Sequence, residues 1–439
     1  MFAEIIKNNQ QRLKDMEIKP RNYERYEDMW KLNKIISFVW PRRAGKTYLM
    51  LDFVKRLVAK KEVQWEQVVF IDFSQYAGQT IGPLRLLEEY YTITSKPNLE
   101  PLFVFDEVQD IANLRQLVLH LFNHQYKIFI SGSNSKLLSS ELSTHFRGRV
   151  FEYKVYPLTY KEILTFKNIP EEKSYTTVDF AKIKRLCFDT FSFGSFPEVV
   201  LTENPFAKKE ILKGYFDILL YKDLLERYKI DNEYALNYLL KSLTLSFTKA
   251  ININKVYNSL KSQNIKIWKN SLYDYYEHIK SAFYGSEVEN EYTILRGEKK
   301  FYLYNIGFHS VFGSSPDFGQ SFENVLLLEL KKRFDRVLFK QGKKELKKEE
   351  QEDQKNEDKK NGREIDFYIP AFDAFPFKKE FHIQACYQLT KQDYEREIWP
   401  LLKAEGERMI VYFEKDPTLP EEQQGVKIID FFSFVREYC

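Results

Sequence analysis

The chain has 439 residues, 44% hydrophobic and 30% charged, with 16% aromatics that include 37 Phe and 29 Tyr. That length exceeds one ordinary core, so two or three domains with ring-built interiors are expected. A net charge of +4 is too near balance to point to nucleic acid by itself. Three scattered cysteines, Cys187, Cys386 and Cys439, suit a reducing compartment and make neither a disulfide framework nor a metal knuckle. His120 and His124 stand i, i+4 on a predicted helix but lack the Glu of a zinc-protease helix, so they read as ordinary helix positions. No apolar run reaches the roughly 18 residues needed to cross a bilayer, and the start of the chain lacks a long apolar segment after a basic one. A soluble, cytoplasmic protein with no membrane partner is expected.

In chain order, residues 1–30 read as one or two amphipathic helices ending in Tyr23-Glu-Arg-Tyr-Glu-Asp-Met-Trp30. From 34 to 160 short apolar runs alternate with helical stretches. Strands are predicted at Ile35–Val39, Val68–Asp72, Leu102–Phe105, Tyr126–Ser131 and Val150–Val155, with helices at Thr47–Lys60 and Leu114–Asn123 between them. That alternation is the pattern of a parallel sheet covered on both faces, whose ligands bind at the carboxyl ends of the strands. Residues 157–230 read as helical, broken by the turn signal Phe193-Gly-Ser-Phe-Pro197. Three helical stretches follow in 232–290. The second and third, Ile253–Ser262 and Ser271–Phe283, have the spacing of a helix-turn-helix. Beyond 320 come a helix at Phe322–Phe334, a strand at Arg336–Lys340, and a run from Lys343 made almost wholly of Lys, Glu, Gln, Asp and Asn. Such a run cannot bury an apolar face and is expected to be a solvated insertion. Strands resume at Glu364–Ile369, Phe381–Ala385 and Arg408–Phe413.

Two stretches carry chemistry. The first predicted strand runs into Pro41-Arg42-Arg43-Ala44-Gly45-Lys46-Thr47, a tight turn opening a helix. Backbone N–H groups of such a loop and the helix N-terminus bind phosphate oxygens, and Lys46 adds a point charge. The third predicted strand ends in Asp106-Glu107. Thr47 and Asp106 are the residue types that hold Mg²⁺, and Glu107 is placed to orient or deprotonate a water. In this order and spacing the two halves make a nucleoside-triphosphate site, with ATP and Mg²⁺ as its ligands. One position departs from the pattern G-x-x-x-x-G-K-[ST]: its first Gly, which permits a tight turn, is here Trp40. Weaker nucleotide affinity or an altered loop path would follow.

These blocks resemble those of the prokaryotic AAA-type ATPases whose C-terminal half carries a domain of unknown function, DUF4143. Pro41–Thr47 is similar to that family's phosphate loop, and Phe103-Val-Phe-Asp-Glu-Val-Gln109 to its acidic strand. Phe129-Ile-Ser-Gly-Ser-Asn-Ser-Lys-Leu-Leu138, Phe146-Arg-Gly-Arg149 and Tyr156-Pro-Leu-Thr-Tyr-Lys-Glu162 follow as in the family, and Gly194-Ser-Phe-Pro-Glu-Val-Val200 resembles its helical lid. The likeness covers nearly the whole chain.

The resemblance implies further roles. Ser133 or Asn134 would sense the γ-phosphate or the attacking water; the alternative is a turn followed by a helix cap. Arg147 and Arg149 flank Gly148, and Arg149 would act as an arginine finger in a neighbouring subunit's site; the alternative is an exposed surface arginine. Arg42 and Arg43 would support the loop. The helix-turn-helix region resembles a winged helix that contacts DNA or serves packing. The C-terminal part resembles a restriction-endonuclease fold that has lost its chemistry. Glu323 and Asp366 stand at plausible places, but Gln384-Ala-Cys386 replaces the acid-x-Lys strand that a metal-dependent nuclease needs, so no nuclease activity is expected.

The expected fold is therefore α/β. A P-loop NTPase parallel sheet at 1–160 carries a helical lid at 161–231. A winged-helix-like domain at 232–300 follows, then an α/β restriction-endonuclease-like domain at 301–439 with a charged insertion at 343–362. The expected function is an ATP-binding, ATP-hydrolysing regulator or motor that forms a homo-oligomer and takes a DNA or protein partner. Two alternatives are a nucleotide-stabilised interaction module without turnover and a DNA-binding effector.

Overall fold

The structure is a computed structural model that describes every residue except 1, 23–27, 40, 95, 97, 133–145, 147, 173, 174, 294–297, 314, 316 and 342–363. The charged run and Trp40 thus lie outside the described residues. The chain forms two compact units. One comprises Met1–Lys173 with Phe196–Leu201 and Ser281–Phe283; the other comprises Ser174–Ser195, Thr202–Lys280 and Tyr284–Cys439.

The first unit opens with α1 (Phe2–Asp15), followed by β1 (Ile35–Val39), α2 (Lys46–Ala59), β2 (Val68–Asp72), α3 (Pro83–Ile93), β3 (Leu102–Asp106), α4 (Leu114–Asn123), β4 (Lys127–Gly132) and β5 (Val150–Lys154). The five strands form one parallel sheet in the order β2-β3-β4-β1-β5. β1 and β3 are buried along their whole length, which explains their unbroken apolar sequences: helices cover both faces of a parallel sheet. Rings fill the interior, with Phe53 and Phe38 at 5.6 and 6.0 Å from Phe129 and Phe73 at 5.0 Å from Phe105. α1 closes the β2 edge. Asn9 Nδ2 donates to Phe70 O at 2.8 Å and Gln10 Nε2 to Val68 O at 3.0 Å, so carbonyls of an open strand edge are satisfied. The register sets Asp72 beside Asp106 and Val39 beside Gly132, which gathers the carboxyl ends of four strands at one rim.

In the second unit the helices Thr177–Phe193, Pro205–Ile218, Glu233–Leu245, Ile253–Ser262 and Lys269–Ser281 lead to an antiparallel hairpin of β6 (Gly285–Glu289) and β7 (Lys299–Leu303). Sequence patterning missed this hairpin, since Gly-Ser-Glu-Val-Glu and Lys-Lys-Phe-Tyr-Leu carry too many charges to read as strands. Ala250 bridges Lys300 on the outer edge of β7. The helix Phe318–Arg333 then leads into a six-stranded sheet of β8 (Leu338–Gln341), β9 (Glu364–Ile369), β10 (Phe381–Leu389), β11 (Glu407–Lys415), β12 (Glu422–Gln423) and β13 (Val426–Asp430), ordered β12-β13-β11-β10-β9-β8. β10, β11 and β13 are parallel, and β8, β9 and β12 run antiparallel to their neighbours. Phe191, Phe322, Tyr387 and Phe413 join the helices Thr177–Phe193 and Phe318–Arg333 to this sheet, with Phe191 at 5.3 Å and Tyr387 at 5.7 Å from Phe413. Much of the high aromatic content is spent here.

Candidate nucleotide-binding site

β1 ends at Val39, and the chain turns through Pro41–Gly45 into α2. Two residues of the turn are left-handed: Arg43 at φ 69° and Gly45 at φ 86°. Glycine adopts that backbone without strain, and the absent side chain lets Arg21 and Pro197 approach: a Cβ on Gly45 would stand 3.3 Å from Arg21 Nη1 and 3.4 Å from Pro197 Cγ. Gly45 caps α2 without a side chain, and a helix N-terminus with no side-chain cap suits an anion. Lys46 is buried and its ammonium donates to Pro41 O at 2.9 Å, across the mouth of the loop. Arg42 is half-buried with its charge near Asp110, and Arg43 is exposed.

Thr47 Oγ1 donates to Asp106 Oδ2 at 2.6 Å. Ser131 Oγ donates to Asp106 Oδ1, which also accepts from Glu107 N at 3.1 Å. Burial pushes the Asp106 carboxyl above the usual carboxylate range. The Ser131 and Thr47 hydroxyls pull it down, while Glu107 and Asp72 push it up. A hydroxyl and a carboxylate held side by side at the mouth of the loop are hard oxygen donors, and they fit a Mg²⁺ that keeps several waters. Such a cation would hold Asp106 ionised. Glu107 follows in a left-handed backbone, φ 48° and ψ 47°, and its Oε2 accepts from Gln109 Nε2 at 2.5 Å. A non-glycine residue held there is the kind of local strain that collects at functional sites.

The structure thus brings Pro41, Arg42, Ala44, Gly45, Lys46, Thr47, Asp106 and Glu107 to one rim. Ser133, Asn134 and Arg147 lie outside the described residues. Arg149 is exposed and elsewhere: its carbonyl accepts from Ile35 N at the start of β1, its Nη1 donates to Asn123 Oδ1 at 3.3 Å, and it lies 5.6 Å over the Phe122 ring. Since β5 runs parallel to β1, Arg149 stands at the end of the sheet opposite to its own Asp106.

Sequence reading missed Ser131, Gln109 and Arg21. The signal for Ser131 was its position in the strand: with Phe105 beside Ile130, the next residue must reach Asp106. Arg21 carried no such signal. In the second unit, Glu323 and Asp366 do converge. Gln384 turns instead to Glu397, its Nε2 donating to Oε2 at 2.8 Å, and burial pushes the Cys386 thiol well up.

Residues 32–164 match the family model of the AAA domain, and residues 184–314 match a domain of unknown function, DUF8612. The model found past the core is thus DUF8612, and it begins within the helices. Fold, loop and family model together mark residues 32–164 as an AAA-type P-loop domain. The chain is 31% identical over 457 residues to the uncharacterized protein MJ1544 of Methanocaldococcus jannaschii, across 100% of this chain and 96% of that one, and it belongs to that protein's family. An uncharacterized protein of Haemophilus influenzae is 25% identical over 309 residues, 68% of this chain and 74% of its own. Among solved structures, the Walker-type ATPase PABY2304 of Pyrococcus abyssi is similar with 17% identity and a TM-score of 0.44, covering 69% of this chain and 100% of its own. Among the described residues no helix is long and apolar enough to cross a membrane.

Proposed function

We propose that this protein binds ATP with Mg²⁺ and hydrolyses it, as a cytoplasmic nucleotide-driven regulator or motor. The observation that carries the reading is the 2.6 Å bond between Thr47 and Asp106 at the open end of α2. It joins the phosphate loop to the acidic strand in the arrangement that a triphosphate and its cation require. Lys46 exchanges its Pro41 carbonyl for phosphate oxygens. Thr47 and Asp106 hold Mg²⁺, which supplies charge neutralisation on the phosphates. Glu107 accepts the proton of the attacking water, with Gln109 fixing its carboxylate. Ser133 or Asn134 senses the phosphate, and Arg149 completes the site of a neighbouring copy.

In this reading 1–160 is the ATPase core and 161–231 its lid. Residues 232–300 form a winged-helix-like domain, and 301–439 an inactive nuclease-like one. Three helices followed by the β6–β7 hairpin support the winged-helix assignment. A DNA partner is favoured by one observation. Trp268, 83% exposed at the start of the helix Lys269–Ser281, stands among the exposed Lys266, Lys269 and Asn270. The acids Asp274 and Glu277 follow only in later turns of that helix.

Titration with a fluorescent ATP analogue, with and without Mg²⁺, tests the reading. Saturable binding that Lys46→Ala lowers by on the order of 100-fold or more supports it. Equal binding by the Lys46→Ala protein would refute it.

A further inference from the structure

Outside the nucleotide site, a buried charged centre lies where β7, β9 and the helix Phe318–Arg333 meet. Lys300 of β7 is 8% exposed. Its ammonium pairs with Glu364, and lies 3.6 Å from Glu323 Oε1 and 3.9 Å from Asp366 Oδ1. Three carboxylates from two elements thus surround one amine from a third. In a metal-dependent nuclease fold, carboxylates from a helix and a strand would hold a divalent cation here. The residues present do not fit one.

We propose that the Lys300 ammonium is the resident cation of this centre, filling the place of a divalent metal and closing the centre to one. Three observations carry this. First, the amine is delivered from a rigid position. Lys300 pairs with Val288 across the hairpin and with Ala250 on its other edge, so its backbone is held from both sides. Second, two of the carboxylates are also bonded by neutral donors of the protein, Glu323 through the same Oε1 that faces Lys300 and Asp366 through Oδ2. Tyr302, two residues along the same strand, donates its hydroxyl to Glu323 Oε1 at 2.7 Å, and Ala385 N donates to Asp366 Oδ2 at 3.0 Å. Third, the residue that would extend a metal shell is a neutral amide, Gln384, and its Nε2 is committed to Glu397 Oε2 at 2.8 Å. Among the described residues no set of three or more His, Cys, Asp or Glu is arranged to hold a metal ion.

The chemistry agrees. A divalent ion such as Mg²⁺ needs oxygens at about 2.0–2.1 Å in near-octahedral array. An ammonium accepts neighbours at hydrogen-bond and ion-pair distances and tolerates the looser set found here. Desolvation opposes the charge on Lys300, yet Glu323, Asp366 and Glu364 together raise its pKa above the ordinary value. Burial and then Glu323 and Glu364 raise the Asp366 carboxyl well above its usual range, against the pull of Lys300, so removing the amine would take away the charge that favours its ionised form. Lysine therefore does in this chain what a metal would do: it holds the hairpin, helix and sheet together through their carboxylates. This inference stands apart from the nucleotide site.

Mn²⁺ binding by the full-length, nucleotide-free chain tests it. Bound ion is counted by electron paramagnetic resonance and the thermal midpoint is followed. An Asp106→Asn background silences the phosphate-loop site. The expected result is no tight Mn²⁺ in that background. Adding Lys300→Ala should lower the midpoint and create one Mn²⁺ site that restores it, and adding Asp366→Asn should abolish that site. Two results overturn the proposal: Mn²⁺ bound with Lys300 intact and lost on Asp366→Asn, or a folded Lys300→Ala protein that gains no ion. Should Lys300→Ala not fold alone, folding rescued by Mn²⁺ supports the proposal. Failure of both Lys300→Ala and Lys300→Met to fold with Mn²⁺ contradicts it.

Discussion

Arg21 and Glu162 form a buried ion pair, Nε to Oε1 at 2.8 Å, although 141 residues separate them. The same guanidinium donates to Ala44 O in the phosphate loop at 2.9 Å and to Tyr156 O at 2.8 Å. One planar fork thus ties the segment before β1, the loop, the exit from β5 and the helix Tyr160–Phe166 (whose N-terminus Glu162 caps) to one another. Breaking such a pair leaves an uncompensated buried charge, at a cost of about 3–5 kcal/mol. Arg21→Ala is expected to lower the denaturation midpoint accordingly. Arg21→Lys keeps the charge but loses the fork, so it should weaken nucleotide binding more than it weakens the fold. Parallel denaturant and nucleotide titrations separate the two effects, and a stable Arg21→Ala protein with normal affinity would show that the fork does not set the loop.

Arg149 lies at the far end of the sheet from its own Asp106, so any part it takes in turnover is across a subunit boundary. Arg149→Ala should reduce ATP hydrolysis on the order of 10²-fold while leaving ATP binding nearly intact, because the charge it offsets is largest in the transition state. Mixing Arg149→Ala with Glu107→Gln protein should recover some activity, since one interface then holds both intact residues. A concentration-independent ATPase that tolerates the loss of Arg149 would rule the finger out.

Gly194 ends the helix Thr177–Phe193 at φ 72° and ψ −168°, a backbone that essentially only glycine adopts. A Cβ there would stand 1.9 Å from Asn305 Oδ1. Gly194→Ala is therefore expected to cost at least about 1–3 kcal/mol, read as a lower urea midpoint. An unchanged midpoint would mean that the Gly-Ser-Phe-Pro turn rearranges freely.

His382 gives a pH dependence with a definite sign. It is buried on β10, its Nε2 accepts from Lys340 Nζ at 2.8 Å, and its ring lies 4.9 Å from Tyr368. Desolvation, then the Lys340 and Arg408 charges, push its pKa from 6.5 to about 4, against the pull of Glu380. The unfolded chain takes up this proton first as pH falls. The contribution to stability is thus complete above about pH 6.5 and lost as pH falls toward about 4. Allowing for solvent screening, it is on the order of 1–2 kcal/mol. Urea midpoints at pH 7 and pH 5 should differ for the parent and converge for His382→Gln. Equal slopes in the two proteins would assign the loss to other groups.

What was legible in the sequence follows burial. β1 and β2 match their predicted bounds residue for residue, because strands covered on both faces write continuous apolar runs. That Thr47 and Asp106 meet was legible because a strand turning into a helix and a neighbouring apolar strand ending in an acid bring both to one rim of a parallel sheet. The β6–β7 hairpin was not, since Glu287, Glu289, Lys299 and Lys300 break the alternation while serving ion pairs. Arg21 and Lys300 were invisible for a related reason: a single buried cation has no period, and the acids that explain it come from distant parts of the chain.

Steady-state ATP turnover by the parent and Glu107→Gln proteins, measured beside their ATP binding, bears most directly on the proposed function. Glu107 is the residue assigned to take the proton from water, and an amide cannot accept it. The parent should hydrolyse ATP, and Glu107→Gln should bind it with similar affinity while losing about 10²–10⁴-fold in rate. Wild-type turnover by Glu107→Gln, or no turnover by a parent that binds ATP, would contradict the account.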